Sequence, residues 1–217
     1  IFLFACGIDT VFSRSLLRSA ERAAACPQDE TCPMSAFTDL NPALWFPDGI
    51  HFCLENGMMN GIGDNKFDPS GTTNRAMIVT ILYRLENEPE VTGANPFIDV
   101  ADGQWYTNAV IWTAENNIVE GYEDFTFRPA ADITREQLAT IFYRYAQSRG
   151  QGFTGAWMFR LDYPDATEIS SWADEAMHWC VMNGIVGGKD GKLVPGAAAS
   201  RAEAATMLMR YCTLDAE

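Results

Sequence analysis

The sequence predicts an all-α, mainly helical fold in which three helical units follow one another behind a separate N-terminal helical segment. Three observations carry that prediction. One stretch of the 217-residue chain recurs three times, its apolar residues return at helical spacing, and a helix-start signal stands at the same place in each copy.

The N-terminal segment, 1–36, lies outside the repeat. "IFLFACG" is a short apolar run with no basic flank, read as the tail of a preceding segment or a buried strand in preference to a secretory or lipoprotein site at Cys6. "DTVFSRSLLRSAERAAAC" has the pattern of an amphipathic helix, capped by Asp9 or Thr10, with Phe12, Leu16, Leu17 and Ala20 apolar. Such a helix leads from an upstream domain, packs on the repeats or self-associates with a second chain, and the residues leave all three open. Cys26 and Cys32 in "CPQDETCP" are spaced for a small disulfide loop, not for the C-x-x-C pairs of zinc or redox sites. Cys53, Cys180 and Cys212 fall in helical patterns and read as buried small hydrophobes.

The repeated stretches are "FTDLNPALWFPDGIHFCLENGMMNGIGDNKFDPSGTTNRAMIVTILYRL", "FIDVADGQWYTNAVIWTAENNIVEGYEDFTFRPAADITREQLATIFYRY" and "YPDATEISSWADEAMHWCVMNGIVGGKDGKLVPGAAASRAEAATMLMRY". They place the units at 37–93, 97–149 and 162–214. Trp45, Trp105 and Trp172 align, as do Arg75, Arg135 and Arg201, with Trp-to-Arg separations of 30, 30 and 29 residues. The residue missing from the third unit falls between Gly188 and Leu193. Asp39, Asp99 and Asp165 form another column, and so do Pro69, Pro129 and Pro195.

Within each unit the elements follow in one order. An aromatic-x-Asp start leads to a Trp that opens a first helix; in the second unit Trp105, Ala109 and Trp112, then Ala114 and Ile118, recur at helical spacing. Gly57 and Gly184 end that helix by tolerating positive φ, and Asn117 takes their place in the middle unit. A loop with Gly, Asp and aromatic-x-Pro follows. The second helix starts at a capping box, Thr134 with Gln137 and Ser200 with Glu203, while the first unit keeps Asn74 as cap but has Met77 in place of the acidic partner. Leu138, Ile141, Phe142 and Tyr145 then share one face. The linker "SRGQGFTGAWMFRL" is long for a connector and carries Phe153, Trp157 and Phe159, which suits it to cover an apolar surface.

Each second helix begins with an arginine, where a cation costs about 0.3–1 kcal/mol against the helix dipole. Three units make that choice, so helix stability does not explain it. Two readings stay open. One is an ion pair to Asp39, Asp99 or Asp165; the other is an anion site built from guanidinium and free N-terminal amides.

These residues resemble the S-layer homology family. Its units begin with aromatic-x-Asp, carry a Trp at the first helix and a G-x-x-x-x-x-F-x-P loop, and close with an I-T-R-A-E-like box before a helix ending in Y-R-Y. The likeness covers Phe37 to about Cys212 in three tandem copies. It implies a pseudo-threefold, three-pronged spindle around a central three-helix bundle, with grooves between neighbouring units. It also implies non-covalent, extracellular attachment to the Gram-positive-type cell wall through secondary cell-wall polysaccharide, commonly at a pyruvylated N-acetylmannosamine end. On that basis Arg75, Arg135 and Arg201 are expected to anchor the ligand carboxylate. Leu82, Ile141, Phe142, Leu208 and the three tryptophans are expected to be core or groove-wall residues, with Trp45, Trp105 and Trp172 as groove walls. Asp39, Asp99 and Asp165 are expected to orient the arginines or accept sugar hydroxyls. Arg135→Ala is expected to weaken wall binding with little loss of thermal stability. The departures at Asn74, Met77, Gln137, Ser200 and Leu193 imply grooves of unequal affinity, and keep open a structural surface-layer or adhesin role through protein contacts.

Composition narrows the alternatives. A formal net charge of −14 argues against nucleic-acid binding, and no apolar run reaches the roughly 18 residues of a membrane span. His51 and His178 stand alone on first-helix faces, and no G-x-S-x-G, P-loop or H-E-x-x-H pattern occurs, so no enzyme activity and no cofactor are expected. "GDNKFDPSG" and "GKDGKLVPG" lack the oxygen ligands of an EF-hand and read as ordinary turns.

Overall fold

The computed structural model describes residues 31–41, 44, 46–153 and 159–214. The N-terminal amphipathic helix, Cys26, Trp45 and Trp157 lie outside the described residues. Among the described residues there are six α-helices: α1 (Pro47–Glu55), α2 (Arg75–Leu85), α3 (Thr107–Glu115), α4 (Arg135–Ser148), α5 (Asp174–Met182) and α6 (Arg201–Cys212). Among the described residues there is no strand, only isolated bridges, so the fold is all-α as the sequence predicts.

The local signals act where they stand. Both capping boxes form: Thr134 accepts from the Gln137 amide and Ser200 from the Glu203 amide, each with the reciprocal side-chain bond. Asn74 accepts from the Met77 amide alone, the half-box expected of the first unit. The first helices end at Gly57 (φ 65°), Asn117 (φ 57°) and Gly184 (φ 69°), where the chain must turn left-handed. "GDNK" and "KDGK" are tight turns bridged between Gly63 and Lys66 and between Lys189 and Lys192.

Helix packing runs between units more than within them. α2 packs on α3 of the next unit and α4 on α5; α6, the last helix, packs on α1, the first. The chain therefore closes into a ring. The α1–α6 seam is tight: a Cβ on Gly49 would lie 2.7 Å from the Thr206 Cα. At the centre the residues before the second helices form a triangle of backbone hydrogen bonds. The Thr73 amide donates to the Ala199 carbonyl, the Ala199 amide to Ile133, and the Ile133 amide back to Thr73, at 2.8–3.0 Å. At the opposite ends the second helices meet through Tyr145, whose hydroxyl donates to Glu86, and through Tyr211, which stacks on Phe142.

The aromatic-x-Asp start has two jobs. Its ring lies on a glycine of the loop: a Cβ on Gly61, Gly121 or Gly188 would run into Phe37, Phe97 or Tyr163, at 2.4, 2.3 and 2.8 Å. Its aspartate accepts two loop amides, from Phe67 and Asp68, from Phe127 and Arg128, and from Leu193 and Val194. Phe67, Phe127 and Leu193 are thereby plunged fully into the core, each burial worth about 1.5–3 kcal/mol. Leu82, Ile141, Phe142 and Leu208 are buried as expected. Cys53 and Cys180 are fully buried.

Candidate functional site: inter-unit clefts

The three arginines are buried, with 4–7% of their surface exposed, and each reaches out of its own unit into the loop of the next. Arg75 Nε donates to the Phe127 carbonyl at 2.8 Å, Arg135 Nε to Leu193 at 2.8 Å, and Arg201 Nε to Phe67 at 2.9 Å. Those are the residues whose amides the aspartates hold. Asp99 and Arg75 thus both bond the backbone of Phe127, Asp165 and Arg135 that of Leu193, and Asp39 and Arg201 that of Phe67. No arginine of the three is within ion-pair distance of its aspartate among the described residues, which sets aside the direct ion pair.

The helix N-termini are not open, which corrects the free-amide half of the anion-site reading. The amides of Arg75, Arg135 and Arg201 donate to the carbonyls of Ala131, Ala197 and Gly71. The next amides, of Ala76, Glu136 and Ala202, donate to Pro129, Pro195 and Pro69, and the third of each set is taken by the cap. Each helix start is plugged by the neighbouring loop. Charge at these sites comes from the guanidinium itself.

The arginines differ in what remains free. Arg135 is bonded from all three nitrogens: besides Leu193 it donates from Nη2 to the Gly187 carbonyl at 2.8 Å and from Nη1 to Glu203 Oε1 at 3.0 Å, an ion pair with both side chains buried. Arg201 uses Nη2 on the Asn60 carbonyl, 2.6 Å. Arg75 has only its Nε bond among the described residues, and its guanidinium carbon lies 5.1 Å from the Tyr122 ring centre and 4.7 Å from that of Phe127. Desolvation pulls the pKa of Arg75 and of Arg201 below the ordinary arginine value.

Two clefts open beside these groups. One, of about 240 Å³, is lined by Arg75, the 118–122 loop, Gln137 and Arg144 of α4, and Trp172 from the third unit. The other, of about 440 Å³, is lined by Arg135, the 187–190 loop, Glu203 and Arg210 of α6, and Phe46 from the first unit. A cleft therefore takes its arginine from one unit, its loop and helix from the next, and its aromatic wall from the third.

The tryptophans correct one sequence expectation. Trp105 and Trp172 do not open their first helices and are not core. α3 starts at Thr107 and α5 at Asp174, so Trp105 and Trp172 sit in the preceding turns, 60% and 55% exposed. The turn, not the helix stripe, sets their direction. Trp172 is held at its cleft by Glu136, a buried α4 residue whose carboxylate accepts from the Ser170 amide and hydroxyl at 3.0 and 3.1 Å. Trp105 packs edge-on to Tyr106. Glu136, Tyr122 and the cross-unit reach of Glu203 escaped sequence reasoning. Glu136 and Tyr122 each occur in one copy only, and that departure from the repeat is the signal that marks them.

The other polar groups are accounted for structurally. Asp39 and Asp165 lie below the ordinary carboxylate pKa: desolvation pushes them up, and the paired loop amides outweigh it. The Cys32 Sγ lies 3.1 Å from His51 Nδ1, and the disulfide expected with Cys26 falls outside the described residues. Burial raises the Cys53 and Cys180 thiols and pushes Cys212 up to about 12. No three His, Cys, Asp or Glu side chains are placed to hold a metal ion among the described residues.

Residues 36–76, 96–139 and 162–205 match the S-layer homology domain. The chain is 30% identical over 168 residues to "Exoglucanase XynX" of Acetivibrio thermocellus, covering 76% of this chain and 15% of that protein. It is 27% identical over 200 residues to "Surface-layer 125 kDa protein" of Lysinibacillus sphaericus, covering 88% and 16%. It is 27% identical over 157 residues to "Cellulosome-anchoring protein" of Acetivibrio thermocellus, covering 70% and 34%. In each case the chain spans well under half of the relative's length.

Proposed function

Because the chain belongs to the S-layer homology domain family, we propose that it is a non-enzymatic anchoring module that attaches an exported protein to the bacterial cell wall. The matched portion is 15% of a protein named as an exoglucanase and 16% of one named as a surface-layer protein, so what the relatives have in common here is the module and not a reaction. Among the described residues no helix is long and apolar enough to cross a membrane, and attachment by a groove needs none.

The ligand in this reading is secondary cell-wall polysaccharide ending in pyruvylated N-acetylmannosamine, bound in the clefts between units. One observation supports it most: a buried guanidinium and an exposed indole, Arg75 and Trp172, from different units line one cleft. A ketal pyruvate offers a carboxylate for charge-assisted hydrogen bonds, and a sugar ring offers an apolar face for the indole. Pull-down with purified walls, before and after chemical removal of pyruvyl groups, tests this. Retention on native walls and loss on stripped walls is the expected result; equal retention on both overturns the pyruvate reading. A protein-contact role has one observation in its favour: Ile98 and Phe125 lie side by side, 80% and 70% exposed, joined by the Ile98 amide to the Phe125 carbonyl. Wall-independent capture by surface-layer protein would favour that role.

A further inference from the structure

We infer that the smaller Arg75 cleft is the primary carboxylate site, and that Glu203 acts as a built-in occupant that closes the larger Arg135 cleft. The inference rests on the anchoring reading above and deepens it by assigning the residue that selects between grooves.

Net charge does not separate the two clefts. Arg75 and Arg144 stand against Glu120 in one; Arg135, Lys189 and Arg210 stand against Asp190 and Glu203 in the other. Each has one positive charge in excess. What separates them is how the buried guanidinium is satisfied. An incoming carboxylate needs two parallel N–H donors. At Arg135 each of the three nitrogens already makes one bond, and the partner on Nη1 is itself a carboxylate, Glu203 Oε1 at 3.0 Å, whose negative charge opposes an incoming one. Lys189 Nζ, 3.8 Å from the same oxygen, reinforces that occupant.

At Arg75 both Nη groups lack a hydrogen-bond partner among the described residues, although the residue is only 7% exposed. Thr73 Oγ1 is the one fully buried side-chain N or O without a partner among the described residues, so the Arg75 Nη groups are not sealed off but reach the cleft, where a carboxylate can take the place of water. The equivalent of Glu203 is Gln137. Its Oε1 is taken by the Thr134 amide at 3.1 Å, and it makes no hydrogen bond to Arg75. The nearby acids are already engaged: Glu120 is 71% exposed and paired with Arg144 at 3.0 Å, and the Asp99 carboxylate accepts the Phe127 and Arg128 amides. Trp172 supplies the wall. Arg201 is intermediate, with Nε and Nη2 on carbonyls.

The capping box makes the test clean, because Glu and Gln both serve at this position in the same chain. Gln137→Glu keeps the cap and installs at Arg75 the occupant that Arg135 already has. Glu203→Gln keeps the cap and removes that occupant. The full chain and both variants are titrated by calorimetry and tryptophan emission with N-acetylmannosamine carrying a ketal-linked pyruvate, and with the same sugar lacking it. The native chain should bind the pyruvylated sugar with a change in Trp172 emission. Gln137→Glu should bind at least tenfold more weakly while melting no lower than native, an outcome that a merely structural role for this residue does not produce. Glu203→Gln should retain native binding and gain a second site. Binding by Gln137→Glu within twofold of native, or loss of binding in Glu203→Gln, overturns the assignment and leaves wall anchoring standing. If the native chain leaves the pyruvylated sugar unbound, the anchoring ligand itself is wrong and this assignment falls with it.

Discussion

The Arg75 and Arg135 clefts are assembled from the same parts in the same order, yet the Arg135 guanidinium is paired with a buried carboxylate and the Arg75 guanidinium is not. Both arginines donate Nε to a loop carbonyl, and both loops are clamped by an aspartate. The divergence comes from one capping position, Gln137 against Glu203, and one loop position, Tyr122 against Lys189. A residue chosen to finish a helix start in one unit sets the electrostatics of the previous unit's arginine. Repetition builds the scaffold, and the exceptions to repetition set which arginine has a carboxylate beside it.

The largest effect that would break this comparison is on stability. Arg135→Ala removes three hydrogen bonds and strands Glu203 in a buried site, so it should cost about 3–5 kcal/mol. Arg75→Ala removes one buried hydrogen bond, a loss of about 1–2 kcal/mol. Urea denaturation of the two variants side by side measures the gap, and equal losses would mean that the clefts are energetically alike. This reverses the expectation that Arg135→Ala spares stability: the ion pair forms, but with a glutamate of the following unit and not with an aspartate.

Acid should come next in size. Asp165 holds the Arg135 loop and Asp39 the Arg201 loop, both with folded pKa values below the ordinary carboxylate value. Folding therefore favours their ionised forms. The stability they contribute is complete above about pH 4–5, where the unfolded chain is also ionised, and is lost as pH falls through the lower folded pKa values. Thermal midpoints measured from pH 6 to pH 3 should be flat and then fall, and Asp165→Asn should flatten part of the fall. An unchanged profile in that variant would remove the loop clamp from the account.

The smallest effect is a gain. The residue after each clamped loop position adopts a left-handed conformation: Asp68 at φ 58°, Arg128 at 58° and Val194 at 49°. Val is β-branched and strained there, whereas Asn is tolerated. Val194→Asn should stabilise the chain by about 1 kcal/mol, read as a rise in melting temperature of a few degrees. No rise would show that the loop of the Arg135 cleft carries no strain of its own.

Much of this was legible in residues that act through side-chain identity at fixed spacing. The capping boxes, the left-handed ends at Gly57, Asn117 and Gly184, and the buried face with Leu138 and Phe142 follow from local rules. The arginine column was legible as an oddity, because it opposes the helix dipole. Its explanation was not, because its partners are carbonyls of Phe67, Phe127 and Leu193, and a carbonyl leaves no mark in a sequence. The tryptophans were misplaced for a related reason: the helix period ran through Trp105 and Ala109, while the Thr107 hydroxyl, which donates to the Ala101 carbonyl and accepts from the Gln104 amide, starts the helix later. Helix pairing across units could not be read at all, since each apolar stripe fits any neighbour.

The seam between α1 and α6 joins residues more than 150 positions apart, Gly49 and Thr206 among them. During synthesis and export the leading end of the module emerges with its buried face bare and waits for the trailing end to arrive. Nothing made in between is a substitute, so closing that long loop is the step that completes the ring. A chaperone or protease meeting this chain on its way out would find the first helix, and not the last, as the part left waiting.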